Sequence, residues 1–456
     1  MVRPTRQDFE ALLVLAVPMA AVQVGLMAMG LVDTAMVGRL SSDALAAVAI
    51  AGVWFFAIST IGMGCVYALD PVIAQAHGAG DEPAVAVGVQ RGFLIAAIVT
   101  VPSMLGLLAV EPMLRLTGQG KTLIPLAGEY TAWIIPSVFP YFAFMVLRQS
   151  LQALGKIRTI LVVIALANLL NAGLNWALIF GHLGAPALGV RGAALATTLS
   201  RWVMFLGLTG LMWPVLAPWV RPVRPATWHW APLRRMLGLG LPIGLQILFE
   251  YGVFGVVGLL LGRVGSAAVA GHQIALNYAS ITFMVPLGIG AAAAVLVGRA
   301  IGAGDPETAR RVGSAALLTG ALFMVATAAG LIVLAHPLAA LYSPDPDVVS
   351  MAATLLPLAG AFQVFDGAQA VAMGILRGIG DTRVPVLVTI FGYYGIGLPA
   401  GLWLGFSNHR GPPGFWGGLV VGLAVVAAFL IWRVRHRLSR DLARLVIDHP
   451  PVPNRP

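Results

Sequence analysis

Apolar runs begin near residues 11, 46, 88, 124, 158, 190, 236, 270, 313, 349, 384 and 415, separated by short stretches rich in glycine, proline or charge. At about 1.5 Å per residue each run can cross the roughly 30 Å hydrocarbon core of a bilayer as a helix. Inside lipid a chain must satisfy its own backbone polar groups, which restricts spanning segments to helices or a closed barrel. The two-residue alternation of a barrel is absent. Twelve transmembrane helices of an all-α polytopic membrane protein are therefore expected. Composition agrees, since 59% hydrophobic residues, 10% charged residues and a mean hydropathy of +0.89 exclude an ordinary water-soluble globule.

The net charge of +10 does not point to nucleic acid, because the basic residues fall between the apolar runs rather than on one face. With the N-terminus inside, 21 of the 28 Lys and Arg fall in cytoplasmic segments. Six (Arg39, Arg115, Lys121, Arg191, Arg263 and Arg410) fall outside, and Arg201 lies within the sixth run. That asymmetry and an even helix count place both termini in the cytoplasm. The first run, from Ala11, is too long for a signal-peptide core and reads as the first membrane helix. Cys65 is the single cysteine, so no intrachain disulfide or cysteine metal cluster is possible, and the eight histidines show no ligand spacing.

An internal repeat organises the chain. At an offset of 224 residues, Leu15 and Pro18 match Leu239 and Pro242, Gly38-Arg39 matches Gly262-Arg263, and Gly78-Ala-Gly-Asp81 matches Gly302-Ala-Gly-Asp305. Further on, Leu151, Gly155 and Arg158 match Leu376, Gly380 and Arg383. A duplicated six-helix unit follows, giving two lobes related by a pseudo-two-fold axis along the membrane normal. The expected division is an N-terminal lobe at 1–213, a cytoplasmic linker at 214–235, a C-terminal lobe at 236–437 and a cytoplasmic tail at 438–456. The linker carries Arg221, Arg224, Arg234 and Arg235 among Trp213, Trp219, Trp228 and Trp230, which suits a membrane interface.

Four acids lie well within apolar runs: Asp33, Asp70, Glu250 and Asp366. A carboxylate at the bilayer centre costs about 2.5 to 3.5 kcal/mol on insertion scales, and such groups usually face a bundle interior or an ion path. None is matched by an acid in the other half, because Asp33 falls on Val257, Asp70 on Ala294, Glu250 on Leu26 and Asp366 on Tyr141. Helical spacing puts Gln246, Glu250 and Phe254 on one stripe of the seventh span. Gln273, Asn277, Ser280 and Met284 share a stripe of the eighth, and Phe362 and Gln363 lie a turn before Asp366 in the tenth. These faces are expected to converge on a pocket with two carboxylates, which in low dielectric bind either protons or a metal cation such as Na⁺.

In the N-terminal half, Gln23, Met27, Gly30 and Thr34 form a stripe with Asp33 at its edge. Asn168, Asn171 and Asn175 punctuate the fifth span, either as ligands or as interhelical hydrogen-bonding groups. Asp70, beside Pro71 near the end of its span, reads as structural or gating. The Gly-Ala-Gly-Asp segments lack the ending of a phosphate loop and read as tight turns. Catalytic motifs and a soluble domain to carry them are absent, so an enzyme is not expected, nor is a cofactor beyond a coupling ion.

Several motifs together resemble the MATE family of multidrug and toxic compound extrusion transporters. They are Leu31-Val-Asp-Thr-Ala-Met-Val-Gly-Arg-Leu40, Ala74-Gln-Ala-His-Gly-Ala-Gly80, Leu151-Gln-Ala-Leu-Gly-Lys-Ile-Arg158, Ala270-Gly-His-Gln-Ile-Ala-Leu-Asn277 and Gly374-Ile-Leu-Arg-Gly-Ile-Gly-Asp-Thr-Arg383. The likeness runs from about residue 10 to 435 and is nearest to the NorM branch. It implies cation coupling at Glu250 and Asp366, with Phe254 and Phe283 as aromatic neighbours. It further implies substrate or proton handling at Asp33 and cavity-lining roles for Gln273 and Asn277, and Gln23 and Phe362 are taken with them as substrate or proton candidates. Phe362 stands where some relatives have tyrosine, which removes an oxygen ligand for Na⁺, and Asn175 departs from the acid common in the DinF branch.

The expectation is a monomeric antiporter of the bacterial inner membrane, exporting small organic cations or amphipathic drugs against Na⁺ or H⁺ by rocking of two lobes. Alternatives are a lipid-linked precursor flippase of the same superfamily and an integral-membrane enzyme acting on lipid.

Overall fold

A computed structural model describes residues 3–448. The tail expected at 438–456 thus has its last part, 449–456, outside the described residues. Among the described residues, twelve helices are long and apolar enough to cross a membrane. They are α1 (Arg6–Val37), α2 (Ser42–Gly78), α3 (Glu82–Leu108), α4 (Leu123–Ala153), α5 (Ile157–Phe180) and α6 (Val190–Leu211), followed by α7 (Trp230–Gly262), α8 (Ser266–Gly302), α9 (Pro306–Val333), α10 (Pro346–Ile379), α11 (Arg383–Ser407) and α12 (Pro412–Ser439). Among the described residues there is no strand.

Short polar residues set the helix starts by accepting otherwise unbonded backbone N–H groups. Ser41 accepts from Ala44 at 3.0 Å, Asp81 from Ala84 at 3.0 Å, and Asp305 from Thr308 at 2.9 Å. The two Gly-Ala-Gly-Asp segments fold alike. Gly80 and Gly304 take φ of +68° and +72°, a conformation open to glycine. Asp81 N–H returns to Ala76 O at 3.0 Å and Asp305 N–H to Ala300 O at 2.9 Å. They are tight helix-to-helix turns, as their sequence indicates.

Three spans are irregular inside. In α2 the helix restarts at Leu69, just before Pro71, whose missing N–H removes one bond of the ladder. In α4 a 3₁₀ turn occupies Ile135–Ser137 around Pro136. In α11 the chain widens to π-helix over Phe391–Gly397 and Trp403–Ser407, with Leu398 N–H bonding back five residues to Tyr393 O. Pro399, lacking a donor, favours that looser winding.

The chain gathers into two compact units. The C-terminal unit contains Leu245–Leu445 together with 3–21, and the N-terminal unit contains Val22–Gly244 together with 446–448. In the N-terminal unit, Gly64 of α2 meets the first part of α7 so closely that a Cβ would overlap the Gly244 backbone. In the C-terminal unit, Gly288 of α8 meets the first part of α1, where a Cβ would overlap the Ala20 backbone. Gly64 and Gly288 are repeat partners, and so are Ala20 and Gly244.

The segment between the halves is fastened to α3. Gln90 donates to the carbonyls of Trp219 (2.8 Å) and Pro222 (3.0 Å), and accepts from Arg224 N–H (3.0 Å) and the Thr227 hydroxyl (2.6 Å). Arg91, almost fully buried, donates to Ala226 O at 2.7 Å and pairs with Asp448 at 2.5 Å.

Candidate functional site

Glu250 and Asp366 both lie within the C-terminal unit, on α7 and α10. Asp366 is 7% exposed, and the two carboxylates are near enough to feel each other's charge. Gln246, one turn before Glu250, donates to it at a long 3.4 Å. Among the described residues no lysine or arginine pairs with either acid and no donor reaches Asp366. The Asp366 oxygens are nevertheless not sealed, since they are absent from the enclosed, unpartnered atoms.

Aromatic rings bound this pair. Phe254 packs edge-on against Phe362 at 5.6 Å and against Tyr393 at 6.4 Å, and Phe362 packs against Trp416 at 5.8 Å. Tyr393 projects from the π-helical part of α11 and feels both carboxylates. Its hydroxyl is enclosed, with the Gln369 side chain beside it. Behind the rings, Trp416 Nε1–H donates to His272 Nδ1 at 3.2 Å. Indole is only a donor, so His272 accepts on Nδ1 and its ring proton sits on Nε2.

The other residues expected on this side make no hydrogen bond to the acids. Gln273 and Asn277 of α8 bond each other at 3.3 Å and neither bonds the acids. Phe283 is half-buried and takes no part in the ring contacts around Phe254.

The N-terminal unit holds a second polar group around Asp33, which is 6% exposed. Asn175 Nδ2 donates to Asp33 Oδ1 at 2.6 Å and the Thr197 hydroxyl to Oδ2 at 2.6 Å. Asn175 also donates to Asn171 Oδ1 at 3.1 Å, so these two asparagines and Asp33 form one chain of bonds. Asn168 instead donates to the carbonyls of Gly25 (3.0 Å) and Ile164 (2.8 Å), fastening α5 to α1. Gln23 accepts from Arg148 at 3.0 Å, and Asp70 accepts from Gln149 at 2.5 Å. Glu129, at the start of α4, pairs with Arg191.

Sequence reasoning missed Tyr393, Thr197 and the His272–Trp416 pair. For Tyr393 a signal existed in Phe391-Gly-Tyr-Tyr-Gly-Ile-Gly-Leu-Pro399, a span interrupted by three glycines and a proline. Such interruptions mark binding sites in transporters. Thr197 and Trp416 carry no comparable mark.

Twelve membrane-crossing helices enclosing uncompensated acids define a multi-span membrane transporter. The MatE family profile matches residues 18–177 and 242–403, one stretch in each half of the repeat. The chain is 40% identical to the probable multidrug resistance protein NorM of Rhodopseudomonas palustris, over 94% of this chain and 91% of that protein. It is 37% identical to the multidrug resistance protein PmpM of Pseudomonas aeruginosa, over 97% and 94%. Among solved structures, the eukaryotic MATE transporter AtDTX14 matches with a TM-score of 0.85 at 24% identity, covering 95% of this chain and 99% of that one. The chain belongs to the MATE family and, by its relatives, to its NorM-like members. It is a transporter and not an enzyme, which sets aside the lipid-modifying alternative.

Proposed function

We propose that this transporter is a multidrug exporter of the bacterial inner membrane, moving amphipathic, often cationic compounds outward while Na⁺ or H⁺ moves inward by alternating access. The observation that carries this reading is the Glu250–Asp366 pair, enclosed in membrane-crossing helices with no basic side chain among the described residues to balance it. Two such carboxylates cannot both stay ionised in low dielectric without a positive charge. A proton or a small cation arriving from outside fills that need and weakens the hold on a cationic compound. Loss of that ion inside restores it.

The donor set suits a hard cation, which prefers oxygen ligands. Two carboxylates and the enclosed Tyr393 hydroxyl are oxygen donors, and the edge-packed rings of Phe254 and Phe362 limit water around them. The same pair equally suits one shared proton. Asp33, held by Asn175 and Thr197, is the corresponding proton or substrate group of the N-terminal unit.

The test is reconstitution into liposomes with a Na⁺ gradient and a pH gradient imposed separately, following uptake of a fluorescent organic cation. One gradient should drive wild-type uptake, and Glu250→Gln and Asp366→Asn should each lower the initial rate at least about tenfold, the loss of one charge-assisted interaction. Uptake that ignores both gradients, or full activity in both variants, would sink the proposal.

A further inference from the structure

Arg201 of α6 is a charge inside the membrane that the coupling scheme does not use. On its helix it shares a face with buried Thr197, Met204 and Leu208, opposite exposed Leu199, Val203 and Leu206. It therefore points into the N-terminal unit rather than outward. Its guanidinium lies over the Phe55 ring at 4.2 Å and near the Tyr141 ring at 5.0 Å, and Nη1 donates to the Ser137 hydroxyl at 2.7 Å. These contacts hold the planar group in one orientation.

What they leave over is the side-on fork. Nε and Nη2 have no acceptor among the described residues, and neither is sealed. Among the described residues no carboxylate forms an ion pair with Arg201. Asp33 is near enough to feel its charge, yet both Asp33 oxygens are already engaged by Asn175 and Thr197. The phenols of Tyr130 and Tyr141 also face it, and Arg148 stands beyond Tyr141. Arg148 differs in that both of its terminal nitrogens are taken, by Gln23 at 3.0 Å and Tyr67 at 3.3 Å, and its Nε is enclosed.

We infer that Arg201 is an anion-receiving subsite of the N-terminal unit that takes a carboxylate of the exported compound on its free Nε and Nη2 donors. A guanidinium fork matches a carboxylate with two parallel hydrogen bonds. A membrane arginine with two open donors gains most from a ligand that fills both, because the alternative is an incompletely solvated charge. The exporter would thus select among organic compounds by an acidic group as well as by a cationic one. The inference takes from the function proposed above only that organic compounds are the cargo.

Equilibrium binding tests this without any gradient. Purified protein in nanodiscs is titrated with a xanthene dye bearing a free benzoate and with the methyl ester of the same dye, read by fluorescence anisotropy. Arg201→Gln should weaken the free acid roughly tenfold and leave the ester within about twofold, with Arg201→Lys between, as expected for losing a bidentate charged contact. Equal weakening of both dyes, or none for the acid, overturns the assignment. Should Arg201→Gln fail to fold, the unaltered protein still decides. Benzoate, but not benzyl alcohol, should displace the acid dye and leave the ester bound, and displacement of neither or of both refutes the subsite. Glu250→Gln should keep the discrimination between dyes, so a failed coupling scheme and a failed Arg201 subsite give different results.

Discussion

Around Glu250 and Asp366 the most exacting side chain is a neutral one. The Tyr393 hydroxyl is enclosed beside the Gln369 side chain and within the field of both carboxylates. Tyr393→Phe removes that hydroxyl, and the cation concentration for half-maximal transport should rise several-fold. An unchanged cation dependence would remove Tyr393 from the site. In the N-terminal unit, Asn175→Leu takes one of two donors from buried Asp33 and should lower stability by about 1 to 3 kcal/mol, seen as a lower melting temperature. The acids were legible in the sequence because a charge in an apolar run is expensive and conspicuous. Tyr393 and Thr197 were not, because a tyrosine or threonine in a membrane helix is ordinary until its neighbours are known. Gln273 and Asn277 show the converse, since helical spacing found their shared face and could not show that they bond each other.

At the scale of elements, helix ends and turns followed from local chemistry and could be read directly. Asp305 illustrates this: the Thr308 hydroxyl and then its N–H hold the Asp305 carboxyl below the usual carboxylate range. A depressed folded value means that the cap stabilises the protein above the unfolded pKa and loses that contribution as pH falls through the folded one. Asp305→Ala should cost about 1 kcal/mol at neutral pH, and the difference from wild type should vanish in strong acid. Helix crossings are less legible, because a glycine in a membrane span is common and only the structure shows which one touches backbone. Gly64→Leu should prevent the α2 to α7 approach, at about 3 kcal/mol or more, and abolish a monodisperse peak in size-exclusion chromatography. Gly207→Ala, where a Cβ meets nothing within 4 Å, should leave that peak intact.

For the molecule as a whole, the offset of 224 residues revealed the duplication because both halves kept their turns and the proline of their leading helix. It could not reveal that residues 3–21 pack within the C-terminal unit and that α7 up to Gly244 packs within the N-terminal one. An offset relates positions to one another and is silent on which unit each joins. Pieces of the chain cut in the 214–235 segment should each fail to give a monodisperse product alone and should copurify when expressed together. Either piece folding alone, by thermal unfolding and size exclusion, would contradict this.

The paired crossings at Gly64 and Gly288 also define a chain topology. Each half supplies the first part of its leading helix to the unit built mainly from the other half, and the two exchanges are equivalent under the repeat. Two separate copies of one half would have the connectivity of a domain-swapped dimer. In a single chain the same interlock closes within one molecule, so the swapped helix arrives at an effective concentration fixed by the tether rather than by how much protein the cell makes.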